Sequence, residues 1–116
     1  MSRSSKKSYI NLINYKPKVS TGYIYKITDV NNKIYIGSTD NHEERWKQHK
    51  EANEDMPLHR AIKAQGIENF KFEVIKTVEY IDKQQLLIIE SCCMDDCDSI
   101  NNGYNTKHSV DMHNLY

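Results

Sequence analysis

Two short runs, Gly22-Tyr23-Ile24-Tyr25-Lys26-Ile27-Thr28 and Lys33-Ile34-Tyr35-Ile36-Gly37-Ser38-Thr39, are joined by Asp29-Val30-Asn31-Asn32. Both are rich in Tyr, Ile and Thr and alternate in character. Asp and Asn at the junction can hydrogen-bond their own backbone and reverse the chain, so the pair predicts a β-hairpin. Side chains alternate between the faces of a strand, so Tyr25 points away from Ile24 and Lys26, and an antiparallel partner brings Tyr35 alongside it within about 5 to 8 Å. The hairpin commits the chain to a sheet with two phenols on one face. Gly37 reads as a position where a side chain would obstruct a close approach or a turn.

The rest of the chain supplies helices to cover that sheet. Residues 1–19 show no sustained period and read as a flexible basic arm. Asn41 is placed to cap a helix running to about Ala52. Pro57 suits the first turn of a second helix, Leu58 to Gln65, closed by Gly66. Phe70 to Ile75 alternates as a third, half-buried strand, and Asp82 caps a helix containing Leu86-Leu87-Ile88-Ile89-Glu90. Apolar around most of its circumference, that helix is expected to be well buried, with Glu90 a carboxylate arriving from the interior. The order β-β-α-α-β-α predicts an α+β domain: a small three-stranded antiparallel sheet flanked by helices, spanning 20–107, with 108–116 as a tail.

The 116 residues suit one domain. No run of about 18 apolar residues occurs, and Met1 to Lys7 lacks the apolar stretch of a secretory signal, so a soluble intracellular protein, cytoplasmic or nuclear and without a membrane partner, is expected. Formal net charge is zero, but residues 1–50 hold ten Lys and Arg against four Asp and Glu, and residues 51–116 hold six against twelve. The basic half contains the tyrosines. Lys26, Lys33, Lys47 and Lys50, with Arg45, would offer a phosphate backbone positive charge if they share a face. The alternative is a solvated lysine-rich surface.

Several pieces then arrive in order: Tyr23-Ile24-Tyr25, Tyr35-Ile36-Gly37, Arg45-Trp46-Lys47-Gln48-His49, Leu58-His59-Arg60-Ala61-Ile62 with Gly66 to Phe72, Glu90, and Gly103-Tyr104-Asn105. This set resembles the GIY-YIG endonucleases over roughly Thr21 to Lys107. One position departs: the first glycine falls at Gly22, one place early. The resemblance implies a phosphodiester hydrolase acting on DNA with one divalent metal. It makes Tyr25, Tyr35, Arg45, His49, Glu90 and Asn105 the candidate site.

Under that resemblance Glu90 holds Mg²⁺ or Mn²⁺, hard cations that choose carboxylate and complete their shell with water or phosphate oxygens. Tyr25 is the candidate general base, its phenol pKa of about 10 needing to be lowered by Arg45, Lys33 and the metal. Tyr35 binds phosphate or orients water; the two phenols could exchange these roles. Arg45 and His49 are one turn apart on a helix, so they share a face. Arg45 grips phosphate with two donors, His49 positions water or polarises Tyr25, and Asn105 locks Glu90 or a nearby loop. The residues also admit plainer readings: strand tyrosines as packing, Arg45 in an ion pair with Glu43 or Glu44, His49 as a structural hydrogen-bonded residue. Family members commonly take target choice from a separate DNA-binding part or partner, and a monomer that nicks one strand is the simplest form.

Cys93-x3-Cys97-x10-His108-x4-His113 approaches a Cys2His2 zinc spacing, with reduced, partly buried thiols as the simpler account. Two other functions therefore stand beside the nuclease: a noncatalytic nucleic-acid-binding module with the same fold, and a zinc-stabilised interaction domain.

Overall fold

The computed structural model describes residues 17–111. Strands β1 (Ser20–Thr28) and β2 (Ile34–Thr39) form the expected hairpin, Tyr25 opposite Gly37 and Ile27 opposite Tyr35. The turn is organised by Asp29, whose Oδ1 accepts the amides of Asn31 and Lys33, both at 2.9 Å. Asn32 takes a φ of 64°, a left-handed conformation that Asn tolerates. Helices α1 (His42–Glu51) and α2 (Pro57–Gln65) follow, then a 3-10 turn (Ile67–Asn69), β3 (Lys71–Tyr80) and α3 (Lys83–Asp96). The anticipated caps are in place. Asn41 Oδ1 accepts the Glu44 amide at 3.1 Å, and Asp82 with Gln85 makes a capping box. None of the described helices is long and apolar enough to cross a membrane.

The sheet order is β2-β1-β3, all antiparallel, with β1 in the centre. Each face of β1 is buried against different helices. Tyr25 and Ile27 pack with Leu58, Ile62 and Phe70 on the α1/α2 side; Ile24 and Ile36 pack with Leu86, Cys93 and Met94 on the α3 side. Strand β3 serves both cores through a bulge. Tyr25 pairs with Val74 but Ile24 pairs with Lys76, which leaves Ile75 without an opposite number. The extra residue reverses the alternation, so Phe72 faces α1 while Val78 and Tyr80 face α3. It also explains why β3 runs five residues past the expected end at Ile75.

Helix α3 is less enclosed than its run of apolar residues suggests. Leu86 is fully buried, but Leu87, Ile88 and Ile89 are only half-buried, because the helix meets the sheet along one side. Gly22 permits that meeting: a Cβ there would lie 2.6 Å from Leu86 Cδ2. The early glycine of the sequence thus has its own packing duty, and Tyr23 turns to the other face, edge-on to His42. The free edge of β2 is closed by Tyr104 and Asn105. The Tyr104 amide donates to Ile34 O at 2.8 Å, and the Asn105 side chain both accepts from Ile36 N at 2.8 Å and donates to Ile36 O at 2.9 Å.

Replacing Asn105 by Ala leaves both Ile36 backbone groups buried and unpaired, at about 1 to 3 kcal/mol for each such group. The expected outcome is a lower urea midpoint at unchanged slope, with faster amide exchange at Ile36.

Candidate active site

Tyr25, Tyr35, Arg45 and His49 converge on the α1/α2 side of the hairpin. The phenol rings lie 6.2 Å apart, and His49 stands edge-on to both at 5.6 and 5.5 Å. Tyr25 reaches this position by crossing Gly37, where a Cβ would fall 2.3 Å from its hydroxyl. Its ring is held from behind by Phe72, stacked at 4.9 Å, and Phe72 in turn by Trp46.

A hydrogen-bonded line runs inward from Tyr25. Its hydroxyl is 2.8 Å from His49 Nε2; His49 Nδ1 is 2.8 Å from His59 Nε2; His59 Nδ1 is 3.2 Å from the Glu54 carbonyl. The carbonyl can only accept, so His59 carries its proton on Nδ1 and accepts at Nε2. His49 must then carry its proton on Nδ1, leaving Nε2 as acceptor, so Tyr25 donates. Every proton in the line points the same way. Burial, aided by the nearby Arg45 and His59, pushes His49 down to about 3, which keeps the ring neutral.

His59 joins the site although the sequence marked it only as part of a helix. A signal was present: His59 lies three residues before Ile62, on the flank of the buried stripe, and both are enclosed.

Arg45 is half-buried beside the phenols. It pairs with Glu54 at 3.1 Å and with Gln48 at 2.9 Å, not with Glu43 or Glu44. Its guanidinium lowers the pKa of both tyrosines, yet burial outweighs it and both phenols lie above their ordinary value, Tyr25 far above. For Tyr25, burial thus outweighs the lowering expected from Arg45. Lys33 takes no part, since its Nζ sits 4.5 Å over the Tyr104 ring.

Glu90 approaches from α3, across the β2 edge. It is buried, and burial raises its pKa against hydrogen bonds from Ser109 and from the Ser38 side chain and amide. It shares a cavity of about 260 Å³ with Tyr35, Met56 and Asn105. Asn105 bonds the Ile36 backbone and not Glu90, so it fixes the strand between the tyrosine and the carboxylate. The donor set of the cavity, one buried carboxylate with hydroxyls beside it, fits a hard cation that draws its other ligands from water and phosphate. No cluster of three or more His, Cys, Asp or Glu capable of holding a metal occurs among the described residues.

The lysines do not share a face. Lys26 pairs with Glu73 at 3.6 Å on the opposite side of β1 from Tyr25, while Lys47 and Lys50 are exposed on α1, Lys50 over the Trp46 ring. Cys93 is buried in the α3 core, Cys97 packs against it, and His108 pairs with Asp95 at 2.6 Å instead of turning to the thiols. His113 and most of the 1–19 arm lie outside the described residues.

In an NMR titration the His49 signals should keep the Nδ1-protonated tautomer and show no inflection from pH 8 to 5. A depressed pKa means that the unfolded chain takes up this proton first, so the stability it contributes is present above about 6.5 and is lost as pH falls towards 3. His59→Ala should release the tautomer preference while leaving the fold.

The GIY-YIG catalytic domain model matches residues 21–105. The chain is similar to protein 146R of Invertebrate iridescent virus 6, named for an MSV199 domain, with 35% identity over 69% of this chain and 35% of that protein. Protein 019R of the same virus is 36% identical over 72% of this chain and 33% of its own length. The chain thus spans about a third of the curated relatives it matches. Among solved structures it is similar to the catalytic domain of the intron endonuclease I-TevI, in a glutamate-to-alanine mutant, with 26% identity, a TM-score of 0.69, and coverage of 78% of this chain and 97% of that one. A second structure of the catalytic domain of homing endonuclease I-TevI gives 27% identity, a TM-score of 0.66, and coverage of 74% and 98%. With the family's segments in order and its fold reproduced, this chain belongs to the GIY-YIG endonuclease family.

Proposed function

We propose that this chain is a DNA endonuclease that hydrolyses phosphodiester bonds with one divalent cation, Mg²⁺ or Mn²⁺, held by Glu90, and that residues 20–107 are its nuclease unit. The observation that carries the reading is the directed line Tyr25 to His49 to His59 beside Arg45, facing the Glu90 carboxylate across β2. When bound, the cation would polarise the phosphate and stabilise the leaving oxygen.

Because the Tyr25 proton is committed to His49, the hydroxyl can accept from a water that enters with the substrate on the Tyr35 and Arg45 side. As that water attacks phosphorus, its proton passes to Tyr25 while the Tyr25 proton passes to His49 Nε2. A concerted transfer avoids a free phenolate, which burial makes costly, and the imidazolium it makes of His49, which burial also disfavours, forms only as negative charge grows on the adjacent phosphate to offset it. Tyr35, on the Glu90 side of the pair, orients the phosphate. Arg45 keeps donors to spare beyond Gln48 and Glu54 and meets the charge developing on the non-bridging oxygens. Lys47 and Lys50, exposed on α1, extend the contact to flanking phosphates, whereas Lys26 faces away. One site cuts one strand, so a monomer nicks, and a separate DNA-binding partner would choose the target.

Supercoiled plasmid with Mg²⁺ or Mn²⁺ provides the test. Wild type should nick, and Arg45→Ala and Glu90→Gln, purified alongside, should fall by about two orders of magnitude or more. Equal activity in all three would mean a contaminant; DNA binding without cutting in wild type would favour a noncatalytic module. Gly37→Ala should also lose cutting, with a changed near-ultraviolet tyrosine signal and intact far-ultraviolet signal, because it displaces the Tyr25 ring.

A further inference from the structure

Residues 106–110 lie beyond the segment matched to the family, yet they fold back onto its carboxylate. After Asn105 the chain runs along α3. His108 Nε2 meets Asp95 Oδ1 at 2.6 Å, the Ser109 amide donates to Ser91 Oγ at 3.0 Å, and the Ser109 hydroxyl donates to Glu90 Oε2. All three contacts are polar. Neither buried cluster of the described residues includes any of 106–110. A segment held by hydrogen bonds worth about 1 kcal/mol each opens easily, while Tyr104 and Asn105 stay fixed to β2.

The Glu90 carboxylate accepts from the Ser109 hydroxyl at Oε2, and Ser38 of β2 lies near enough to favour its charged form. A cation that takes Oε2 must therefore compete with that hydroxyl. The same segment walls the cavity that Glu90 shares with Tyr35, where a divalent ion would need room for waters or phosphate oxygens.

We propose that residues 106–110 form a latch over Glu90. With the latch shut, the Ser109 hydroxyl satisfies the carboxylate; a cation enters by displacing Ser109 and lifting the segment from α3. This rests on Glu90 being the metal ligand. The latch couples metal loading to opening of the cavity wall, which restrains loading until DNA brings phosphate oxygens to complete the coordination shell.

Mn²⁺ binding to the full chain, read by loss of the free-ion EPR signal with a short DNA duplex present, tests it; a Tyr25→Phe background keeps the duplex uncut while leaving Arg45 in place. Ser109→Ala should bind Mn²⁺ about tenfold more tightly, the scale of a hydrogen bond to a charged group. Ser109→Thr, which keeps the hydroxyl, should return to the parent value. His108→Ala, which loosens the segment without touching Glu90, should shift affinity in the same direction as Ser109→Ala. Glu90→Gln should abolish binding. If Glu90→Gln abolishes it but Ser109→Ala and His108→Ala are unchanged or weaker, the latch is overturned and the metal assignment stands. Parent-like binding by Glu90→Gln sinks the assignment and the latch with it. In the parent, Mn²⁺ with duplex should speed amide exchange at Ser109; unaltered exchange would also overturn the latch.

Discussion

The Tyr25 ring lies across Gly37 so closely that any side chain at residue 37 would occupy the space of its hydroxyl. That contact decides where the phenol ends, and the phenol decides what α1 and α2 can present to it. Tyr25 belongs to the central strand, which is packed on both faces, so the ring cannot retreat without disturbing two cores. Phe72 behind it and His49 before it fix the remaining freedom. The family's second motif is thus a steric requirement: the tyrosine at 35 and the glycine at 37 share a face of β2, and one provides the second phenol while the other makes room for the first.

The electrostatics follow from that enclosure. A buried site with a standing charge would carry a desolvation penalty of several kcal/mol, and the Tyr25, His49 and His59 line avoids it by holding three neutral groups with their dipoles aligned. The charges, Arg45 and Glu90, sit on either side of the line: Arg45 half-exposed and paired to Glu54, Glu90 enclosed and bonded by the Ser109 hydroxyl. Substrate phosphate and cation would bring opposite charge to the two places, the divalent cation carrying one charge more than Glu90 can neutralise and so calling on phosphate oxygens as well. The site therefore rests in a neutral arrangement that binding polarises, which is the reverse of a phenol already ionised by neighbouring cations.

Local signals in the sequence reached the hairpin, the caps at Asn41 and Asp82, Pro57 and the element order, because turn, cap and periodicity are written in neighbouring residues. Long-range geometry escaped. The bulge at Ile75 is marked only by the adjacent apolar pair Val74-Ile75 followed by Lys76, a break too small to read as a change of face, yet it divides the strand between two cores. Lys26 could be placed on the face away from Tyr25 by parity alone, but the charge count pooled it with the others. Asn105 was expected at Glu90 or a loop; its bonds to Ile36 depend on a contact across 69 residues. His59 needed the α1/α2 crossing to show that two histidines on different helices meet.

Glu54 shows how few contacts organise the whole. It lies in the connection between α1 and α2, where its carboxylate holds Arg45 and its carbonyl fixes the His59 tautomer. The carboxylate is more than half exposed, so the ion pair adds at most about 1 kcal/mol to stability and yields readily to a phosphate. The carbonyl cannot leave without unwinding the connection. One residue thus gives the Arg45 guanidinium a weak, exchangeable hold and the hydrogen-bonded line a firm one. That difference matches the tasks proposed for them: Arg45 would be released to meet a substrate, whereas the direction of the proton line would have to survive every turnover.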